Sequence, residues 1–333
     1  MKLDSHKEKA TMLDPKGGFL EAVSEIEIRV DPLTAARSRI NVSRTSRPKQ
    51  SLAKVQADVG TGAKCIFCPD SVETVTPKFP PSVLPEGRFR FGGALLFPNL
   101  FPLAGYHGIC VFTPEHKLEL DKFKSEEILD GLRCSLKYFS KTAEMGLPHN
   151  FLGWNHLPPA GASILHPHLQ LICSKEPLAG QKVLQDASEG YYRREGANFW
   201  SQLTEVEKSS PRFIGESHGF TWLAPWAPLG NFEVLGISRK ASVMEMEAEE
   251  LCGMADGIVR VLKGYAGLGI ASLNMGVFSA PGDRSRGKFS SHVRIMARPG
   301  AGMSDRALLE LYGGEVGLST LPEDYAGAIR AQF

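Results

Sequence analysis

The sequence Gly161-Ala-Ser-Ile-Leu-His-Pro-His-Leu-Gln170 places two histidines and a glutamine at alternate positions. Alternate side chains of an extended strand share a face, so His166, His168 and Gln170 are predicted to line one side. The opposite side is apolar and carries Leu165, Pro167, Leu169 and Leu171. Such a strand could hold a metal ligand, a nucleophile and an amide donor in fixed relation. Two ordinary histidines near a sheet edge are the structural alternative.

The turn before this strand has a chemistry of its own. Gly161 allows close approach to the backbone, and Ser163 adds a hydroxyl group. Both features suit phosphate oxygens, although this signal is weak when taken alone.

Cys65 and Cys68 form a Cys-Ile-Phe-Cys motif that is followed by Pro69. This spacing lets two thiolates bind one metal ion, and tetrahedral zinc then needs two further ligands. His116 and His166 are the natural candidates. Four protein ligands would leave no open position for water, so the ion would be structural. A redox role is the alternative, but Pro69 and the surrounding loop residues disfavour it.

Away from these motifs, the pattern predicts irregular arms over residues 1–25 and 41–62, and a strand at residues 108–112. A helix is predicted from Ser125 to Glu144, because apolar residues recur there at helical spacing and Gly146 lies just beyond the end.

The second half of the chain repeats the plan of the first. A helix predicted from Met244 to Lys263 parallels the first helix, and His292 follows His166 by 126 residues. We therefore predict an α+β fold made of two copies of one unit, each an antiparallel sheet with helices packed on it. The boundary should fall between residues 180 and 215, which gives domains of 1–195 and 196–333.

Composition narrows the classes of function. The chain has 333 residues, with 38 basic and 37 acidic side chains and only six cysteines. This balance disfavours a nucleic-acid partner, and the cysteines are too few for a disulfide framework. No apolar run approaches the roughly 20 residues of a membrane span, and no signal peptide is evident. We expect a cytoplasmic protein with no membrane partner.

The Cys-x-x-Cys motif, the Pro-Glu-His at 114–116 and the Gly-Ala-Ser-x-x-His-Pro-His-x-Gln block together resemble the galactose-1-phosphate uridylyltransferase family of the histidine-triad superfamily. The resemblance covers roughly residues 26–330. It implies two histidine-triad-like units, with the catalytic and zinc sites in the first, and a homodimer.

The resemblance also implies residue roles. His168 is similar to the nucleophile that takes a nucleotide from a nucleoside diphosphate sugar, with Gln170 and Ser163 contacting its phosphates. One structural zinc ion would be bound by Cys65, Cys68, His116 and His166. The resemblance implies substrate contacts by Asn99, Asn155, Arg44 and Arg47. The turn at Gly161 is a further predicted substrate contact.

Two departures from the family pattern bear on function. The second half has Val277-Phe-Ser279 and His292-Val-Arg294 where some members place metal ligands, so no second metal is expected. The C-terminal segment is more similar to that of ADP-sugar phosphorylases, which makes galactose doubtful. The acceptor is therefore a sugar phosphate in a transferase, or phosphate or water in a phosphorylase or hydrolase. A nucleotide-binding regulatory protein without turnover is the alternative from another class.

Overall fold

Residues 1–46, 65–300 and 306–333 are described by this computed structural model, and within them the chain forms two sheets and seven α-helices. The strands are β1 (Ser5–Asp14), β2 (Leu20–Val30), β3 (Arg37–Ile40), β4 (Phe89–Phe91), β5 (Ala94–Pro98), β6 (Tyr106–Val111), β7 (His149–His156), β8 (His168–Ser174), β9 (Phe213–Ser217), β10 (Phe220–Leu223), β11 (Val234–Ser238), β12 (Ser272–Phe278), β13 (His292–Arg298) and β14 (Val316–Leu318). The helices are α1 (Pro69–Val75), α2 (Ser125–Glu144), α3 (Ala179–Glu195), α4 (Phe199–Glu207), α5 (Ala248–Gly267), α6 (Gly282–Ser285) and α7 (Pro322–Arg330).

The larger sheet contains both halves of the chain. Its order is β4-β5-β6-β8-β7-β12-β13-β11-β10-β9, and every neighbouring pair is antiparallel. Read from either edge toward the centre, the two sets of five strands follow the same connectivity. The predicted α+β class and internal duplication are therefore confirmed.

The two halves meet where β7 pairs with β12. Asn155 lies opposite Asn274, and Gly153 lies opposite Gly276. One continuous sheet thus joins the copies edge to edge. The predicted domain boundary between residues 195 and 196 falls between α3 and α4. The division into these two domains stays a prediction.

Two long helices cover one face of this sheet. The first, α2, has the predicted bounds, and its buried Ile128, Leu132 and Phe139 follow the helical period. The second, α5, begins at Ala248, four residues later than predicted, because residues 243–245 form a 3-10 turn and Glu250 accepts a hydrogen bond from the Glu247 backbone N–H. The two helices and the buried side of the sheet share one apolar core.

The prediction of an irregular N-terminal arm is wrong. Residues 5–14 and 20–30 instead form an antiparallel hairpin, β1 and β2, which continues through β3 to a parallel pairing with β14. Nearly all of β1 is exposed. Its side chains therefore carry no inward-facing apolar pattern from which a strand could have been predicted.

A buried ionic network attaches this smaller sheet to the second half. Arg29 of β2 and Arg212 both donate to the Glu323 carboxylate of α7, with nitrogen–oxygen distances of 2.9 and 2.7 Å. Both guanidinium groups also lie over the Trp226 ring.

Within the described ranges, no helix combines the length and apolar character that a membrane crossing requires.

Replacing Glu323 with glutamine is expected to destabilise the protein by about 2 kcal/mol, because two buried cations lose their shared anion. Burial alone would raise the pKa of Glu323, but hydrogen bonds from Arg29 and Arg212 outweigh it and leave the pKa below its ordinary 4.5. This stabilisation is complete above that value and is lost as the pH falls through the lowered pKa. Urea unfolding at pH 7 and at acid pH measures both effects, with the exposed neighbour Asp324→Asn as control. An equal effect of the two substitutions would contradict the network.

Candidate active site and metal centre

Four predicted metal ligands converge at one end of β8. The ligand atoms of Cys65, Cys68, His116 and His166 all lie within 4.8 Å of one another. Cys65 and Cys68 precede α1, His116 lies in the loop after β6, and His166 lies just before β8. Residues from three separate segments are thus brought together as the sequence predicted.

The donor geometry fits a tetrahedral metal ion. Cys68 Sγ lies 3.6 Å from His116 Nδ1 and 3.8 Å from His166 Nδ1. Zinc–sulfur and zinc–nitrogen bonds of about 2.3 and 2.0 Å at a tetrahedral angle give a separation of about 3.5 Å. His166 Nε2 lies 2.9 Å from the Thr113 carbonyl oxygen, which can only accept, so Nε2 carries the proton and Nδ1 is free to bind metal. The cluster is therefore arranged to hold a metal ion.

His168 is the first residue of β8, and a backbone hydrogen bond sets its tautomer. Its Nδ1 lies 2.8 Å from the His166 carbonyl oxygen and must donate to it. The lone pair consequently lies on Nε2, which has no hydrogen-bond partner among the described residues. The ring is 5% exposed, and burial lowers its pKa against the opposing effect of that hydrogen bond. The structure thus holds a neutral imidazole with one unprotonated nitrogen.

The metal-binding loop also packs against this imidazole. Phe67 lies between the two cysteines, and its ring meets the His168 ring edge-on at a centroid distance of 5.1 Å. Phe67 also contacts His166 and Phe97. Closure of the loop by a metal ion would therefore fix an aromatic wall against His168.

Gln170 is oriented by His107, a residue that the sequence interpretation missed. The Leu103 backbone N–H donates to His107 Nδ1 at 3.1 Å, so the His107 proton is on Nε2. That nitrogen lies 3.3 Å from Gln170 Oε1, which leaves the Gln170 amide N–H groups free to donate elsewhere. Burial lowers the pKa of His107 and favours this neutral state. The sequence signal that could have identified His107 is its position in β6, where alternation places this polar residue on the same face as the apolar residues Ile109 and Val111.

The other predicted contacts from the first half lie on the strands and loops around β8. Asn99 follows β5, and its amide nitrogen is 3.4 Å from His107 Nδ1, the ring nitrogen that accepts. Asn155 lies in β7, the strand beside β8. Gly161 has a φ of 87°, which suits glycine, and it begins the loop in which Ser163 is exposed.

Of the two predicted arginines, the structure describes Arg44, which lies apart from this cluster. Arg44 is exposed in a short 3-10 turn after β3, and the charge of Arg44 contributes to a lowered pKa of Glu310. No hydrogen bond joins Arg44 to His168, Gln170 or Ser163 within the described ranges. Arg47 lies outside the described residues.

The corresponding position in the second half is filled by packed side chains. His292 begins β13 as His168 begins β8, and its Nδ1 also lies beside a backbone carbonyl two residues earlier, so His292 is the counterpart of His168, whereas the sequence pattern had matched it to His166. It is fully buried and stacks on Trp200 of α4 at a centroid distance of 4.1 Å. Burial, with a smaller effect of Arg294, lowers the pKa of His292 to about 3. Arg294 lies opposite Gly276 as Gln170 lies opposite Gly153, so it is the counterpart of Gln170, and it donates to the buried Glu233 carboxylate at 2.7 Å. The absence of a second metal stays a prediction.

Comparison with solved structures identifies the class of fold. An ADP-glucose phosphorylase from Arabidopsis thaliana with bound ADP-glucose has a TM-score of 0.76 and 19% identity, over 92% of this chain and 98% of that one. A GalT-like protein from the same plant has a TM-score of 0.71 and 18% identity, over 91% and 98%. A uridylyltransferase has a TM-score of 0.69 and 22% identity, over 92% and 98%. The chain therefore has the fold of these GalT-like and uridylyltransferase structures, as predicted.

Sequence comparison then identifies the family. An uncharacterised protein from Archaeoglobus fulgidus is 32% identical over 317 residues, which are 94% of this chain and 94% of that protein. The chain belongs to the same family as this archaeal protein. No protein-family model matches the chain.

Replacing Cys68 with serine is expected to abolish metal binding, because its thiolate lies against both histidine ligands. The purified wild-type protein should contain about one metal ion per chain, and removal of the ion should lower its melting temperature. Cys68→Ser should start at the lower melting temperature and show no response to a chelator. Elemental analysis and thermal denaturation measure these effects, with Cys252→Ser on α5 as the matched control. A metal-free wild type that is insensitive to chelators would contradict the site.

Proposed function

We propose that the protein is a nucleotidyltransferase that acts on nucleoside diphosphate sugars through a covalent nucleotidyl-His168. The observation that carries the proposal is the hydrogen bond from His168 Nδ1 to the His166 carbonyl, which leaves Nε2 unprotonated. An imidazole in this state attacks phosphorus without first losing a proton to a base. A binding protein would not need an unprotonated ring nitrogen at this position.

The first step forms a bond between His168 Nε2 and the α-phosphorus of the donor. The bond from that phosphorus to the bridging oxygen breaks, and the sugar 1-phosphate leaves with the electron pair. In the second step a phosphate oxygen of the acceptor attacks the same phosphorus, and the nitrogen–phosphorus bond breaks. The imidazole returns to its starting state, so one residue serves both steps.

The residues around His168 would stabilise the charge that develops in these steps. The Gln170 amide, turned outward by His107, is suited to donate to a non-bridging oxygen of the transferred phosphoryl group. Ser163 and the Gly161 backbone are proposed to contact the neighbouring phosphate. Further contacts are proposed from the nucleotide-side residues Asn99 and Asn155 and from the arginines Arg44 and Arg47.

The metal is proposed to be one zinc ion with a structural role. Two thiolates and two imidazoles form a ligand set that zinc prefers, and all four positions would be filled by protein. When bound, such an ion supplies cross-linking of the chain and no reactive water. Cys65, Cys68, His116 and His166 would then hold Phe67 against the nucleophile.

The donor and acceptor define two versions of the activity. The solved structure with the TM-score of 0.76 is an ADP-glucose phosphorylase, and a uridylyltransferase shares the same fold. We propose a nucleoside diphosphate sugar as donor, with a sugar phosphate as acceptor in one version and inorganic phosphate in the other. The proposed setting is cytoplasmic.

A homodimer is proposed on the basis of exposed apolar residues near the site. Leu100, Phe101 and Leu103 are 64, 81 and 83% exposed in the loop between Asn99 and His107. Apolar groups clustered in this way favour a protein interface. We expect a dimer by light scattering and a monomer for Phe101→Glu, whereas Val183→Glu on α3, where the side chain is 56% exposed, serves as a control. A wild-type monomer would contradict the dimer.

Incubation with UDP-glucose or ADP-glucose, radiolabelled at the α-phosphorus and without an acceptor, is expected to label the protein. The label should approach one per chain and should be acid-labile and base-stable, as phosphorus–nitrogen bonds are. His168→Ala should remain unlabelled, because it lacks the proposed nucleophile. The matched control is His149→Ala, which alters a neighbouring strand of the same sheet.

The labelled enzyme then distinguishes the two acceptors. Release of the label as a nucleoside diphosphate by inorganic phosphate indicates a phosphorylase, and release as a nucleoside diphosphate sugar by a hexose 1-phosphate indicates a transferase. Full labelling of His168→Ala would overturn the nucleophile assignment. A folded wild type that takes no label from any nucleoside diphosphate sugar would overturn the proposed function.

A further inference from the structure

A side chain from the second half of the chain reaches into the proposed site of the first. Asn274 lies on β12 directly opposite Asn155 on β7. Its Nδ2 is 2.7 Å from Asn155 Oδ1 and 2.8 Å from the Ala160 carbonyl oxygen. One amide group thus bridges two parts of the first half.

The chemistry of these contacts settles the orientation of both amides. A backbone carbonyl only accepts hydrogen bonds, so the Asn274 atom beside Ala160 must be the amide nitrogen. The Asn155 atom that the same nitrogen meets must then be the carbonyl oxygen. The two hydrogens of the Asn274 amide are both used, and the Asn155 N–H groups are left without a partner among the described residues.

The second contact acts on the loop that leads to the nucleophile. Ala160 ends the 3-10 turn Pro158–Ala160, and Gly161 follows it in the left-handed conformation. Ser163 and His168 come later in the same segment. Asn274 therefore holds the start of this loop at a fixed distance from Asn155.

We propose that Asn274 is a positioning residue, through which the second half orients the Asn155 amide as a donor to an acceptor oxygen of the nucleotide and holds the Gly161–Ser163 loop. This inference rests on the proposed function, because it assigns a part of the same site to the second copy. It gives the second half a part in the reaction, although packed side chains fill the position that corresponds to the site there.

Asn274→Ala is expected to raise the KM for the nucleoside diphosphate sugar about tenfold, the effect of one hydrogen bond to substrate, with a smaller fall in kcat. Asn274→Asp should raise KM at least as much. The carboxylate introduced at position 274 can only accept, so the Asn155 amide would turn its N–H groups toward that carboxylate and its carbonyl oxygen toward the substrate. Both constants are measured for nucleotidyl-enzyme formation from radiolabelled UDP-glucose or ADP-glucose.

Ser272→Ala is the matched control. Ser272 also lies on β12 and donates across the same seam, at 2.8 Å to the His156 carbonyl, without contacting Asn155. Its loss should lower the melting temperature about as much as Asn274→Ala while leaving KM unchanged. A merely structural role of Asn274 predicts equal kinetics for the two variants and would overturn the inference.

A double-mutant cycle with Asn155→Ala tests the coupling directly. If Asn274 acts on substrate binding through Asn155, the double variant should have a KM within about twofold of Asn155→Ala alone. Additive effects would overturn the inference. If the wild type forms nucleotidyl-His168 and the kinetics of Asn274→Ala are unchanged, this inference alone is refuted. If the wild type takes no label, the proposed function is refuted and the inference with it.

Discussion

Hydrogen bonds to backbone groups, which can act only as donor or only as acceptor, determine the tautomers of the histidines in this site. The His166 carbonyl holds the proton of His168 on Nδ1, and the Thr113 carbonyl holds that of His166 on Nε2. The Leu103 N–H does the reverse for His107. The free lone pairs are therefore specified by the path of the chain, which leaves one ring suited to bind a metal ion and the next suited to the proposed attack on phosphorus.

Among the described residues, the two copies differ at the position of the proposed site. In the first half, the polar face of β8 carries His168 and Gln170 beside the metal cluster. In the second half, α3 and α4 cover the corresponding face, and Trp200 stacks on His292. The second copy extends the sheet through the pairing of β7 with β12, and it places the Asn274 amide beside Asn155.

Much of the fold could be predicted because its signals are local. The bounds of α2 follow from helical periodicity, and the convergence of the metal ligands from the Cys-x-x-Cys spacing. The β1–β2 hairpin escaped prediction because it is stabilised by strand pairing without a buried face. His107 escaped because its role is a diagonal contact between strands, which sequence separation conceals. His166 precedes β8 and does not lie within it, since Pro167 has no N–H to donate to a strand partner.

The central claim is that Nε2 of His168 is the nitrogen that accepts the nucleotide. Nitrogen-15 NMR of the imidazoles, followed by phosphorus-31 NMR after addition of a nucleoside diphosphate sugar, tests it most directly. We predict an Nδ1–H tautomer of His168 in the free protein and a phosphoramidate bonded to Nε2 after reaction. A proton on Nε2 in the free protein, or a nucleotide bonded to Nδ1 or to another residue, would contradict it.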